Sequence, residues 1–382
     1  MRCCVRCFQD GYLKRYIREH GRIGTCQFCR ARRVHVIDAG DLNDLFARFT
    51  ELYPRLEPGV NAPQDVDVLE RGERLATIIQ EQWDIFSDRL TERDTHHGLL
   101  NRIYTENCVE EDILDAPDMH ELYTERNWLH DSLLDQWQEL AEELKHPEEH
   151  RPVAPDLEPG EADVAGAVDT LQWFEEDIGR AVVTLPTGSP VYRVRLGYRE
   201  QDYRIGPYPI GEAGAPPAAA VTQPGRANPV GVSYFYAAND ERTAVAEKRP
   251  HRGALVTVAT GQTTRDLQVV DLAAGMILAS PFECAGEYLP SLVESCELFN
   301  HLDTEFAKPL RHTDDVHEYL LTQFFAEWVK EHHYDGVRYS SAMSEGGTNI
   351  VLFDPRLVQI TAVRLVRVDA VEVTYADYDG ED

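Results

Sequence analysis

The sequence predicts an α+β protein built from more than one folding unit, and three observations carry that expectation. Paired cysteines open the chain within a basic head, and apolar residues then recur at helical spacing from Asp38 to about His150. After Arg180 the period shortens to strand-like runs with helices between them. At 382 residues the chain is too long for one ordinary core, because domains usually settle near about 100 to 200 residues. Its hydrophobic fraction of 43% and aromatic fraction of 9% are enough to fill packed cores, which excludes a wholly disordered chain.

The first element is a predicted zinc ribbon over residues 1–37. Cys4 and Cys7 are followed, after eighteen residues, by Cys26 and Cys29, the C-x2-C…C-x2-C pattern of a structural zinc site. Each pair fits on one tight turn, and four thiolates close a tetrahedral shell with no open position for substrate, so the metal would staple the fold. Cys3 is an alternative to Cys4. Cys108, Cys284 and Cys296 stand alone and read as buried thiols.

Charge is unevenly spread. The formal net charge is −30, which would repel phosphate chains and anionic membranes if it were uniform. Residues 1–33 nevertheless hold nine basic residues (Arg2, Arg6, Lys14, Arg15, Arg18, Arg22, Arg30, Arg32, Arg33) against Asp10 and Glu19, a surplus of seven that leaves −37 on the rest. Such a head reads as a basic arm that touches nucleic acid or as a segment docked on its own acidic body, and both readings stay open. No apolar run follows the basic start, and no stretch approaches the ~18 apolar residues of a membrane helix. A cytoplasmic protein without membrane contact is therefore expected, with its eight cysteines as metal ligands or free thiols.

A helical domain is expected over residues 38–146. Leu42, Leu45, Phe46, Phe49 and Leu52 recur at spacings of three and four, as do Trp128, Leu129, Leu133, Leu134, Trp137 and Leu140. Val66–Leu90 and Leu99–Leu114 are further helix candidates. Residues 147–166 are rich in Pro and Glu and read as a linker, followed by a short helix around Leu171–Ile178.

The last unit, residues 167–382, is the α+β one. Its strand-like runs are VVTLP, VYRVRL, VSYFYAA, ALVTVAT, LQVVDL, NIVLF and a closing pair within VQITAVRLVRVDAVEV. Helices are expected at Asn239–Lys248, capped by Asn239 or Asp240, and at Asp314–His333, with Val316, Leu320, Phe324, Trp328 and Val329 near one face.

Several polar residues in this unit are placed for chemistry. Arg193 sits inside VYRVRL, where an inward-facing charge needs an anion. Arg226 lies in the loop PGRANPVG, and two guanidinium forks at one cleft suit a pyrophosphate. Glu247 follows an apolar helical run, where solvent exposure is the competing reading. Ser340 and Ser341 end the strand VRYSS ahead of the turn GGTN, where serine also serves as ordinary turn chemistry. No G-x-G-x-x-G joins a strand to a helix, which disfavours a Rossmann dinucleotide site.

Together these blocks, from VYRVRL through GRANPVGVSYFYAANDERTAVAEKRP to DGVRYSSAMSEGGTNIVLFDP, resemble the RES domain family over roughly residues 190 to 356. The resemblance matches Arg193, Glu247 and Ser341 to the family's arginine, glutamate and serine, with Ser340 where many members have proline. It places Arg226 and Asn228 of the GR-x-N block, and Tyr236, among the residues that bind the nucleotide. Tyrosines Tyr198, Tyr203 and Tyr208 have no clear counterpart.

The family is similar in fold to diphtheria- and cholera-type ADP-ribosyltransferases, and its members are toxins that consume NAD. The resemblance therefore implies NAD as substrate, cleavage of the nicotinamide–ribose bond as glycohydrolase or ADP-ribosyltransferase, and an antitoxin or immunity protein, or a protein acceptor of ADP-ribose, as partner. Glu247 would stabilise the oxocarbenium-like ribose, Arg193 and Arg226 would hold phosphates or ribose, Tyr236 would stack on nicotinamide, and Ser341 would orient the ribose or the carboxamide. The head and helices resemble an N-terminal extension of some RES proteins, grouped with HEPN domains, although Arg126 with His130 and Arg89 with His96 fit a HEPN ribonuclease site poorly. The alternative function is a catalytically inactive adaptor that keeps only nucleotide binding.

Overall fold

The computed structural model describes residues 1–56, 72–90, 93–106, 121–124, 133–145, 178–274, 280–283, 289–308 and 319–372. The chain forms two compact units, one of residues 1–135 with 277–296 and the other of residues 136–276 with 297–382. The expected linker at 147–166, most of the helix at Leu171–Ile178, and Cys108, Cys284, Arg126 and His130 lie outside the described residues. Among the described residues no helix is long and apolar enough to cross a membrane.

In the first unit, strands β1 (Arg2–Cys4), β2 (Arg22–Thr25) and β3 (Arg32–Asp38) form an antiparallel sheet in the order β1-β3-β2. Helix α1 (Gly11–His20) starts where Asp10 Oδ1 accepts from the Leu13 amide at 2.7 Å. It stops at Gly21, where the backbone turns extended (φ −89°, ψ 174°), and glycine is required there because a Cβ would sit 2.6 Å from the Val36 carbonyl oxygen. The apolar face read from sequence is buried at Leu42, Phe46, Phe49 and Leu52. The backbone beneath it is a 3-10 turn, Ala39–Leu42, and two short helices, Asn43–Phe46 and Arg48–Leu52, in place of one continuous helix. Helix α2 (Leu75–Trp83) lies within the first middle candidate, whereas α3 (Arg93–Thr105) starts six residues before the second and overlaps it only from Leu99 to Thr105. Phe8, Phe46, Phe49, Phe86 and Phe282 are all fully buried at the centre, with the Phe46 and Phe282 rings 5.1 Å apart. Helix α4 (Leu133–Lys145), which belongs from residue 136 onward to the second unit, buries Leu133, Trp137 and Leu140.

The second unit carries an eight-stranded mixed sheet. In chain order its strands are β4 (Val182–Leu185), β5 (Pro190–Leu196), β8 (Phe235–Ala238), β9 (Leu255–Thr263), β10 (Leu267–Asp271), β11 (Gly336–Ser340), β12 (Thr348–Leu352) and β13 (Val358–Arg367). A separate hairpin, β6 (Arg199–Gln201) with β7 (Arg204–Gly206), interrupts that series. The sheet order is β13-β9-β5-β8-β12-β11-β10-β4, antiparallel throughout except for β10 with β11. This is the α+β architecture the strand and helix periods predict. Every predicted strand run is present save one. The expected closing pair is a single ten-residue strand, β13, with a bulge between Ile360 and Ala362. No Gly, Pro or Asn interrupts VQITAVRLVRV to turn the chain.

Three helices complete this part of the chain: α5 (Glu241–Ala246), α6 (Leu289–Ala307) and α7 (Leu320–Glu331). The nineteen-residue α6 is absent from the sequence reading, although Leu292, Cys296, Phe299, Leu302 and Phe306 recur at helical spacing and are buried. On α7 the fully buried phenylalanine is Phe325, while Phe324 is half-buried 6.3 Å from Trp137.

Asp240, not Asn239, caps α5, its Oδ1 accepting from the Thr243 amide at 2.9 Å and its Oδ2 from the Thr243 hydroxyl at 2.6 Å. Burial pushes the Asp240 carboxyl up, but the Thr243 and Arg242 donors outweigh it and hold it below the usual carboxylate range. A depressed pKa stabilises the fold above the unfolded value and is lost as pH falls through the folded one. Asp240→Ala should therefore cost about 1 kcal/mol at neutral pH. The difference from the parent, followed by urea unfolding, should begin to shrink below the ordinary aspartate pKa of about 3.9 and vanish once the pH has fallen past the lower pKa of the folded state.

Candidate active site

A cavity of about 290 Å3 opens in the second unit. Its floor follows from strand register: Tyr192 on β5 pairs with Ala238 on β8, Ala238 with Asn349 on β12, and Asn349 with Tyr339 on β11. Directly paired residues share a sheet face, so these four side chains form one row across four strands, and all four line the cavity. The methyl group of Ala238 leaves room at the centre of the row.

β5 and β8 are registered only at Tyr192 and Ala238, so beyond that pair the strands part. Arg193 fills the opening. Its Nη1 donates to the Tyr236 carbonyl at 2.6 Å, and its guanidinium lies 5.7 Å from the Phe235 ring centre. Burial lowers the Arg193 pKa, with Arg195 adding repulsion and Tyr236 opposing. Among the described residues no carboxylate pairs with it.

Arg226 is held by a donor bond from Nη1 to the Glu305 carbonyl at 2.6 Å and lies 5.9 Å from the Tyr319 ring centre. Tyr236 lines the cavity, but its hydroxyl is committed below it. It donates to Asn228 Oδ1 at 2.6 Å and accepts from the Ala227 amide at 3.1 Å. Burial pushes this phenol up. Asn228 is buried and spends its amide on the Pro229 and Val232 carbonyls at 3.1 and 3.0 Å. It is therefore placed to pin the loop that carries Arg226, and it does not line the cavity.

Glu247 follows directly on α5, whose last turn directs it at β12. Its Oε1 accepts two hydrogen bonds, from Ser341 Oγ at 2.6 Å and from Asn349 Nδ2 at 2.7 Å. Ser341 Oγ also accepts from the Met343 amide at 3.1 Å, so the single proton of this serine is committed to Glu247 and one of its lone pairs to the turn. The geometry distinguishes the two serines: Ser341 reaches Glu247, whereas the Ser340 amide donates to Asp303 Oδ1 at 2.7 Å. Glycine makes the approach possible. Gly346 has φ +69°, and a Cβ on Gly347 would collide with Thr243 Oγ1 on α5.

Sequence reasoning missed Asn349, Tyr339, Tyr192 and Lys248 as cavity residues. The signal for Asn349 was a lone amide heading the apolar run IVLF, and for Lys248 its adjacency to Glu247. Burial, then Tyr236 and Glu247, push the Tyr339 phenol up. Loss of water and repulsion from Arg193 lower the Lys248 ammonium against the pull of Glu247. The unaligned tyrosines lie off this site. Tyr198 and Tyr203 are exposed, Tyr203 fully so at the β6–β7 turn, and Tyr208 stacks under Arg195 at 4.1 Å.

In the first unit the sulfurs of Cys4, Cys7, Cys26 and Cys29 all lie within 4.8 Å of one another. Neighbouring sulfurs are 3.8 Å (Cys4–Cys7), 3.5 Å (Cys4–Cys29) and 3.4 Å (Cys7–Cys26) apart. A tetrahedral tetrathiolate with metal–sulfur bonds of about 2.3 Å has edges near this length, so the four residues fit a metal ion. The Arg6 and Cys29 amides point at Cys4 and Cys26 sulfurs, each at 3.4 Å. Cys3, alternating to the other side of β1, faces the Ile37 carbonyl at 3.8 Å and takes no part. Contact with Cys26 pushes the Cys7 thiol up and contact with Cys4 draws the Cys26 thiol down. His96, from one of the two HEPN-type pairs, stacks on Phe86 with ring centres 5.0 Å apart.

Fold and site thus define a mixed-sheet α+β domain that fixes one carboxylate among cationic side chains in a cavity. The model of the RES domain matches residues 190–375, and this part of the chain belongs to the RES family. No curated protein matches the chain. Among solved structures, the M. tuberculosis MbcT–MbcA toxin–antitoxin complex aligns at 15% identity over 51% of this chain and 93% of that one, with a TM-score of 0.30.

The close approach at Gly347 yields a direct check. Gly347→Ala should push the Ser341 turn away from α5 and free Glu247 Oε1. Ligand binding in the cavity, followed by calorimetry, should weaken more than global stability, followed by thermal unfolding.

Proposed function

We propose that the second unit binds NAD in this cavity and cleaves its nicotinamide–ribose bond. The observation that carries the reading is the double donation to Glu247 Oε1, which fixes the carboxylate and leaves Oε2, with no hydrogen bond from any described residue, for the substrate. Heterolysis sends the bonding pair to the nicotinamide nitrogen, which leaves neutral, and C1′ of the ribose becomes oxocarbenium-like. Glu247 stabilises that charge or holds a ribose hydroxyl. A nucleophile then bonds to C1′ and loses its proton, giving ADP-ribose if it is water or a modified acceptor if it is a protein side chain.

Arg193 and Arg226 bind the anionic part of the dinucleotide, and the face of Tyr236 stacks on the nicotinamide. Ser341 acts on Glu247 and not on the carboxamide, because its proton is already committed. Asn349 shares that positioning role. Asn228 acts on NAD only through the loop it braces. The four-cysteine site holds a structural zinc ion. A toxin or defence effector restrained by an antitoxin or immunity protein, working in the cytoplasm where NAD is available, is the biological setting this reading supports.

Glu247→Gln should lower nicotinamide release from NAD, measured on the full chain, by at least about 100-fold. Ser341→Ala and Asn349→Ala should each lower kcat by on the order of 10- to 100-fold. Undiminished release from Glu247→Gln would sink the assignment, and no release from the parent protein would favour the inactive adaptor. Mass spectrometry of added lysate separates transfer from hydrolysis. Metal analysis should find one zinc per chain, and Cys7→Ser or chelation should unfold the small N-terminal sheet; retained structure without metal would refute the structural role.

A further inference from the structure

We propose that the basic face around the four-cysteine site binds the phosphate backbone of a nucleic acid. Arg6, Arg18, Arg22, Arg30, Arg32 and Arg33 are all exposed. None of the six forms an ion pair with a described carboxylate, whereas Arg15, from the same head, pairs with Glu283 at 2.5 Å. In a chain with 67 acidic residues against 37 basic ones, a carboxylate is the easiest partner for an arginine to find. Six arginines without one among the described residues, all within residues 6–33, have their charge available to a partner outside the chain.

The backbone makes the same point independently. Arg30 and Arg33 stand at φ 62° and 53°, in the left-handed region. Glycine or asparagine relaxes there, and a long β-carbon-bearing side chain does not. Arginine at both positions carries a conformational cost that glycine would not, which is accounted for if the side chain is used. Arg30 directly follows Cys29 and Arg6 lies between Cys4 and Cys7, so both turns of the metal site present a guanidinium. On the adjoining edge strand β2, Ile23 is 62% exposed and pairs with half-buried His35, an apolar spot among cations that suits a nucleobase or sugar face. Arginine forks match phosphate oxygens in pairs, and a polyanion engages several at once, whereas the −37 on the rest of the chain opposes loose, non-local attraction.

The test uses the zinc-loaded full chain, with binding to a short fluorescein-labelled RNA and to a DNA duplex read by anisotropy between about 50 and 200 mM salt. The parent protein should bind one or both with strong salt dependence. Arg30→Gln/Arg32→Gln/Arg33→Gln should weaken binding about tenfold or more and reduce the slope of log K against log salt by roughly three. Arg6→Gln/Arg22→Gln, on other turns of the head, should do the same in proportion and decides the matter should the triple variant lose its metal. Nicotinamide release should be unchanged in both, which keeps this test separate from that of the cavity. Absence of binding at low salt, equal binding by both variants, or equally good competition by polyglutamate of matched charge would each overturn the proposal, the last in favour of an acidic protein partner.

Discussion

Oε1 of Glu247 receives two short hydrogen bonds, from Ser341 at 2.6 Å and Asn349 at 2.7 Å, and much of the second unit is arranged so that they meet there. The donors come from different places: the turn after β11 and the first half of β12. The acceptor comes from the end of α5. Three backbone segments must therefore converge on one atom, and each is fixed by its own local device. Asp240 sets where α5 begins, and Gly347 lets the serine turn lie against that helix. The pairing of Asn349 with both Ala238 and Tyr339 sets the height of the amide on the sheet. A carboxylate held through one oxygen cannot rotate freely, and its other oxygen is left in a defined position without a hydrogen bond from any described residue.

The cationic wall obeys a second constraint. An arginine inside a strand of a closed sheet would be costly to bury, yet Arg193 is tolerated because β5 and β8 separate just past Tyr192 and Ala238 and leave the Tyr236 carbonyl free to accept from it. The same tyrosine ties the wall together: its carbonyl holds Arg193, and its hydroxyl holds Asn228, which braces the loop carrying Arg226. Gly225 is part of this brace, since a Cβ there would lie 2.5 Å from Asn228 Oδ1 and 2.8 Å from the Tyr236 hydroxyl. Tyr236 therefore couples both arginines through opposite ends of one residue, while its ring remains the only part offered to the cavity.

The strands were legible because their residues alternate between two faces and end at Gly, Pro, Asn or Asp; β13 was misread as two because alternation alone does not locate a turn that is not there. Helix α6 went unseen although its apolar spacing is regular. Arg193, Arg226, Tyr236 and Glu247 could be named from their blocks, and they do share one cavity. What could not be read was the direction of each polar atom. Ser341 looked like a ligand contact and is a contact to Glu247; Asn228 looked like a nucleotide contact and is spent on its own loop. Asn349 was hidden because a strand residue gains its role from the register of β12 against β11 and β8, a non-local property. The cysteine spacing, by contrast, is a local property, and it led directly to the four sulfurs that cluster.

Charge separates the two chemistries of the chain. With −37 outside the head, the long-range field does not draw a dinucleotide or a polyanion inward. Fields are screened over about 8 Å at physiological salt, so Arg193, Arg226 and Lys248 act only on a ligand already at the cavity. On the proposed reading, the exposed arginines beside the cysteine site likewise meet a chain of phosphates only when it is laid against them. An acidic body of this kind penalises every weakly fitting anion, and local guanidinium forks restore binding only where geometry lets them work in pairs. Under that arrangement selectivity at both places comes from fit, and the net charge of the chain supplies the penalty against everything else.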